Sequence, residues 1–233
     1  MANMMLELFS GTQSVSKVAR KRDWITQTLD KSMNPGGSHR HIMTDVMDFN
    51  YRNYPVGMFE FIWASPPCTE YSKAKTTGVR KIDEANAIVE RTLEIINYLK
   101  PHVFIIENPQ TGLLKDQPMM ANIPFVDVDY CRYGFPYRKR TRLWSNHAEL
   151  LQGRLKPLCN KDCESMDESG KRHKEVAQRL PHGKCLTWGA QRKHTQEDLY
   201  KVPEGLVEDV LTAISCHPAI SYTSPSWLPP PAL

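Results

Sequence analysis

The period of the hydrophobic positions changes several times along the chain, and each change marks an element. Met4–Phe9 is a short apolar run that predicts a strand, closed by a turn at Ser10-Gly11-Thr12. From Ser14 to Arg22 the apolar residues Val15, Val18 and Ala19 fall at helical spacing, and Trp24–Leu29 predicts a second strand ending on Asp30. Ile42–Asp45 reads as a third strand end, again closed by an acid. Met58–Trp63 is apolar and aromatic, as expected of a buried strand. Ile82–Lys100 has the clearest helical period (Ala85, Ile88, Val89, Leu93, Ile96, Leu99), and Pro101 ends it. His102–Ile106 is continuously apolar, the signature of a central parallel strand, and delivers Glu107-Asn108-Pro109 to its carboxyl end. Phe125–Tyr130 and Thr141–Trp144 predict two more strands. Strands alternating with helices over residues 4–145 predict an α/β fold, a doubly wound and mostly parallel sheet.

Beyond residue 145 the pattern weakens. Residues 151–201 are polar and aperiodic and hold three of the six cysteines, which predicts a small irregular lobe containing Cys and His. A helix returns at Pro203–Ile214, followed by a Pro-rich tail. The expected division is 1–150 for the main domain, 151–201 for the lobe, 202–217 for a helix returning to the domain, and 218–233 for the tail.

Composition narrows the class. The six cysteines are too sparse for a disulfide scaffold, and Met1–Leu8 lacks a basic region and cleavage site. With no apolar run long enough to span a bilayer, an intracellular, membrane-free setting is expected. The net charge of +4 is modest, but basic residues cluster at 17–22, 73–81, 138–142, 171–174 and 192–194. Such clusters in one small domain point to a polyanionic partner.

Chemistry concentrates at the predicted strand ends. Pro66-Pro67 stops one strand and holds Cys68 on a stiff loop at its carboxyl end, the crevice where open α/β sheets bind ligands. Taken alone, Pro-Pro-Cys is better read as a strand-terminating turn with an incidental small residue, and it is the neighbouring stretches that shift the balance. The order strand, Phe9-Ser10-Gly11-Thr12 turn, helix, strand, Asp30 is that of a nucleoside-binding βαβ half, with Asp45 as a further acid.

Taken together, these stretches resemble the cytosine-C5 DNA methyltransferases. Leu6-Glu7-Leu8-Phe9-Ser10-Gly11 is similar to the family's cofactor motif, and Pro66-Pro67-Cys68-Thr69-Glu70-Tyr71-Ser72 to its nucleophile motif. Glu107-Asn108-Pro109 is similar to its Glu-Asn-Val motif, and Arg140-Thr141-Arg142-Leu143-Trp144 to its Arg-x-Arg-apolar-aromatic motif. The resemblance implies a Rossmann-like class I methyltransferase that transfers a methyl group from S-adenosylmethionine to C5 of cytosine in DNA. It implies Cys68 as nucleophile, Glu107 as acid at N3, and Arg140 and Arg142 as base and phosphate contacts. Phe9, Ser10, Gly11, Thr12, Asp30, Asp45 and Pro66 would line the cofactor site, and Ser72, Lys73, Asn108 and Arg138 the substrate side. The substrate would be a duplex with a flipped cytosine or a single strand, handled by a monomer.

Four departures from the family stand out. Gln13 occupies a turn that is usually glycine-rich, and Arg138 stands where Gln is common. Pro109 replaces Val, which suggests a phage or viral branch, and the recognition region is much reduced. The same chemistry on RNA or nucleotides, or a catalytically silent nucleic-acid-binding module, also fits these residues. An exocyclic-amine methyltransferase fits Ser65 and Cys68 poorly. Separately, Cys159-x3-Cys163-x9-His173-x11-Cys185 has the donor types of a structural zinc site, with His182 competing with Cys185 as fourth ligand.

Overall fold

The computed structural model describes residues 3–32, 40–177 and 194–216. Strands β1 (Met4–Leu8), β2 (Ile25–Asp30), β3 (His41–Met43), β4 (Phe61–Ala64), β5 (Val103–Pro109), β6 (Phe125–Asp129) and β7 (Arg140–Trp144) form one sheet. The helices are α1 (Ser14–Lys21), α2 (Ile82–Leu99), α3 (Ala148–Gln152), α4 (Gln196–Tyr200) and α5 (Glu204–Ser215). Strand order is β3-β2-β1-β4-β5-β7-β6. The pairs from β3 through β5 are parallel, and β7 runs antiparallel to both β5 and β6. This is the doubly wound, mostly parallel α/β sheet that the alternation predicts, and its Rossmann-like order is the one the resemblance implies.

The central strands are apolar throughout because both their faces are covered. On one face Phe104 and Ile106 of β5 join Ile62 of β4 and Val89, Leu93 and Ile96 of α2. On the other, Val103 and Ile105 join Phe61 and Trp63, packed under Val15 and Val18 of α1 and Leu206, Val207 and Val210 of α5. The sequence has α5 as a returning helix, and it packs beside α1. Lys100 adopts a left-handed φ of 48° and donates to Ile96 O, which ends α2 one residue before Pro101.

The crossover from β3 to β4 lacks the helix that regular alternation would supply. Between β3 and β4 the chain uses a 3₁₀ turn (Tyr51–Asn53) and an aromatic cluster. Phe49, Tyr54 and Phe59 stack in series, and the Tyr51 hydroxyl donates to Glu94 of α2 at 2.5 Å. Aromatic area there covers the sheet face that a helix would otherwise cover. Residues 153–177, as the sequence predicts, contain neither helix nor strand. They lie along the segment before β7, with Ser165 Oγ donating to Phe135 O and Glu175 N to Pro136 O.

The predicted loop at 34–38, the candidate ligands Cys185 and His182, and the tail at 218–233 lie outside the described residues. Among the described residues no helix is long and apolar enough to cross a membrane.

The two-sided burial of β5 sets an expected ranking of stability losses. Phe104 is fully buried against α2, so Phe104→Ala should cost about 3–5 kcal/mol. Asn146 Oδ1 accepts from Phe104 N and its Nδ2 donates to His102 O, closing the start of β5. Its removal to Ala should cost about 1–3 kcal/mol. Urea denaturation of both variants checks this, and equal midpoint shifts would contradict it.

Candidate active site

Strand order reverses between β1 and β4, and a cavity of about 370 Å³ opens beyond the carboxyl ends of the strands there. Its lining begins with the turn between β1 and α1. That turn winds through left-handed backbone at Phe9, Gly11 and Gln13 (φ 59°, 39° and 56°). The twist carries the chain from β1 into α1 while Ser10, Gly11 and Thr12 face the cavity. Gly11 N donates to Asp30 Oδ2 at 2.8 Å, tying the turn to the end of β2. Asp30 Oδ1 accepts from Ser32 N and Oγ, so the carboxylate is held from both sides.

Glu7, at the end of β1, is buried beneath this turn and accepts from Val15 N and Ser16 N of α1. Burial raises its pKa to about 7 even though those N–H groups and Arg20 oppose the rise. Gln13 is fully buried and turned away from the cavity, with its Oε1 accepting from Arg20 at 3.3 Å.

The opposite end of the cavity is built by β4 and β5. Trp63 Nε1 donates to Ser65 Oγ, and the two prolines then carry the chain over the sheet edge to half-buried Cys68. Asn108 Nδ2 donates to Pro66 O at 2.9 Å and fixes the Cys68 loop to the end of β5. Tyr71 anchors the far side of the loop: its hydroxyl donates to Asn86 and its carbonyl accepts from Leu113 N. Gly112 permits this close approach: a Cβ there would sit 3.1 Å from Pro109 O and 3.4 Å from Tyr71 O, so the backbone would have to give by a few tenths of an ångström.

Glu107 is buried, accepts from the Tyr130 hydroxyl at 3.1 Å and lies 3.9 Å from Lys139 Nζ. Lys139 Nζ also lies 4.8 Å from the centre of the Tyr130 ring and donates to Leu199 O. At Cys68, burial raises the thiol pKa, Lys139 works against the rise and Glu107 adds to it; the net position is above the ordinary value.

Phe9, Ser10, Gly11, Thr12, Asp30, Asp45, Pro66, Cys68, Glu107 and Asn108, all singled out from the sequence, therefore line one cavity. Ser72 and Lys73 do not line it. The basic cluster at 73–81 is folded onto the loop that carries Cys68. Arg80 donates to the carbonyls of Glu70, Ser72 and Lys75, and Lys75 pairs with Glu70 at 2.6 Å.

Arg138, Arg140 and Arg142 are not brought to the cavity. Strand alternation puts Lys139, Thr141 and Leu143 on the Glu107 face of the sheet and Arg140 and Arg142 on the other. There Arg140 and Arg138 bind Asp129, and Arg142 forks onto Asp127 at 2.8 and 2.9 Å. The cation beside Cys68 is thus Lys139, which was not singled out from the sequence. Its signal was available: a residue between two arginines on a strand must point to the opposite face. Glu7, Tyr200 and Val202 also line the cavity without having been singled out. Cys159, Cys163 and His173 come together elsewhere, joined by Cys131.

Residues 10–123 match the family model of the C-5 cytosine-specific DNA methylases. The protein named "Probable DNA (cytosine-5)-methyltransferase" in Frog virus 3 (isolate Goorha) is 31% identical over 226 residues, covering 89% of this chain and 98% of that one. A solved structure described as a DNA modification methyltransferase encoded within an E. coli prophage is similar at 17% identity and a TM-score of 0.49. That match covers 65% of this chain and 48% of the other. With a curated relative of this identity aligned along nearly its whole length, the chain belongs to the cytosine-C5 DNA methyltransferase family.

Proposed function

We propose that the chain methylates C5 of cytosine in DNA with S-adenosylmethionine as donor, through a covalent bond between Cys68 and C6. The observation that carries this reading is the single cavity shared by Cys68, Glu107 and Lys139 at one end and the β1–α1 turn at the other.

The residues present fit the cofactor. Ser10 Oγ is buried on the cavity wall with no partner among the described residues, and so is Asn108 Oδ1. Such groups are costly unless a ligand satisfies them. Asp30 and Asp45 would serve as acceptors for ribose hydroxyls and the base edge, with Asp30 Oδ2, which accepts only from Gly11 N, keeping capacity for a further bond. When bound, the cofactor supplies an electrophilic methyl group.

Cytosine C5 is a poor nucleophile until a thiolate adds to C6 and turns the ring into an enamine. Cys68 supplies the sulfur. Burial disfavours its thiolate, so Lys139 is the group that makes ionisation accessible. Glu107 donates a proton to N3 as charge builds on the ring, and Tyr130 holds the carboxyl in place. Once C5 carries the methyl group, its proton passes to solvent, N3 returns its proton to Glu107 and the C6–S bond breaks to release the Cys68 thiolate. In a duplex the base must first leave the stack at a cost of a few kcal/mol. We take residues 1–150 as the cofactor-binding catalytic domain, 151–201 as a reduced recognition lobe and 202–217 as the helix that returns to the domain. The protein would act on DNA inside the cell, as a monomer.

DNA carrying 5-fluorocytosine should give a complex that survives denaturation when S-adenosylmethionine is present, because fluorine at C5 blocks the final elimination. Cys68→Ala should abolish both the trapped complex and turnover. Methylation at normal rate by Cys68→Ala would overturn the covalent mechanism.

The pH dependence of Cys68 follows from its neighbours. An acid with a raised pKa is under-ionised at neutral pH, so alkylation of Cys68 by iodoacetamide should rise through and above the ordinary thiol range. Lys139→Met should push that rise to higher pH, slowing labelling at neutral pH by about tenfold for each unit gained. Lys139→Arg should largely restore it, and Glu107→Gln should move the profile the opposite way. Identical profiles for wild type and Lys139→Met would remove Lys139 from this role.

A further inference from the structure

Cys131, Cys159, Cys163 and His173 each offer one ligand atom, and these four atoms all lie within 4.8 Å of one another. Cys131 and Cys159 are buried, the other two half-buried, and all three thiols are free. The donors come from three separate places. Cys131 is in the 3₁₀ turn Tyr130–Tyr133 that follows β6, Cys159 and Cys163 are in the loop after α3, and His173 is bridged to Met166. His173 Nε2 already lies 3.5 Å from Cys159 Sγ.

We propose that these four residues form a structural zinc site that pins residues 153–177 to the β6–β7 edge of the sheet. Zn–S bonds near 2.3 Å in a tetrahedron place sulfurs roughly 3.8 Å apart, within the spread found here. Three soft thiolates and an imidazole select zinc over magnesium or calcium, and four protein donors leave no open position for catalysis. Cys131 completes the set among the described residues, in the place that the sequence spacing assigns to Cys185 or His182.

The local backbone suits a metal-bound thiolate. Lys161, between the paired cysteines, has φ 62°. That turn directs the N–H groups of Lys161 and Asp162 at the Cys159 sulfur. Binding displaces three thiol protons and leaves a complex of net charge −1. The cations to balance it are present. Arg132 donates to Pro157 O and Asp162, and Arg138 shares the single carboxylate of Asp129 with Arg140, so cations outnumber carboxylates along this edge.

The segment needs such a tie. Within 153–177 the buried apolar side chains are Leu155 and Cys159, far too little to hold 25 residues without helix or strand. Cys159 N donates to Asp129 Oδ2, and Asp129 is also the carboxylate that holds Arg138 and Arg140. A metal at this point would lock that arrangement and leave the cavity at Cys68 untouched.

The test is metal content and thiol reactivity of the full-length chain, purified under reducing conditions. Wild type should retain about one zinc per chain, with three thiols protected until a chelator is added. Cobalt added to the stripped protein should give a thiolate-to-metal charge-transfer band. Cys163→Ser and His173→Ala should each lower zinc occupancy by about tenfold or more, while Cys185→Ser and Cys216→Ser keep it. Circular dichroism separates metal loss from misfolding, and the wild-type cobalt titration stands even if the buried Cys131→Ser variant does not fold. A folded, reduced wild type that neither carries zinc nor takes up cobalt would overturn the site. So would an intact mass two hydrogens light, showing a disulfide within the cluster, or zinc lost in Cys185→Ser and kept in Cys131→Ser.

Discussion

Burial of β4 and β5 on both faces is the constraint from which the rest of the molecule follows. Phe61, Ile62 and Trp63 beside Val103 to Ile106 leave no polar residue in the paired stretch of these two strands. Chemistry is therefore possible only where these strands run out, and both run out at the same edge because they are parallel. Pro66 and Pro67 end one strand, Glu107-Asn108-Pro109 the other, and the Asn108–Pro66 hydrogen bond sets the separation between them. A single amide thus converts two strand ends into one site.

The β6–β7 hairpin does a different job, separating charges by strand alternation. On the Glu107 face stands Lys139, 3.9 Å from Glu107 and close enough to bias the Cys68 thiol. On the other face Asp127 and Asp129 hold the three arginines. Burial alone would raise the Asp129 carboxyl, but Arg140, the Cys159 N–H and Arg138 together bring it below its ordinary value. Such buried pairs add little net stability, since desolvation offsets their attraction. What they supply is orientation, and Asp129 extends it to the irregular segment through Cys159.

The turn after β1 shows how a local rule was broken and compensated. A bulky Gln13 at a left-handed position is unfavourable compared with glycine. Here the side chain gains burial and an Arg20 contact on the side away from the cavity, so the Ser10-Gly11-Thr12 arc keeps its access to ligand.

The sequence by itself determined the seven strands, the three long helices and the strand ends that carry Cys68, Glu107 and Asp30. These are local consequences of hydrophobic period and proline placement, which any sheet of this order must respect. It also carried the alternation that turns Lys139 toward Glu107, although the neighbouring arginines drew the eye first. Only the tertiary structure decided which cation meets the thiol, because burial of Cys68 and the reach of Lys139 depend on β5 and β7 being adjacent. Nor could spacing show that Cys131 joins Cys159, Cys163 and His173. Twenty-eight residues, with the whole of β7 and α3 between, separate Cys131 from Cys159, and only the packing of the irregular segment against the sheet edge brings them together. Pattern fixes what each segment is; long-range packing fixes what its side chains touch.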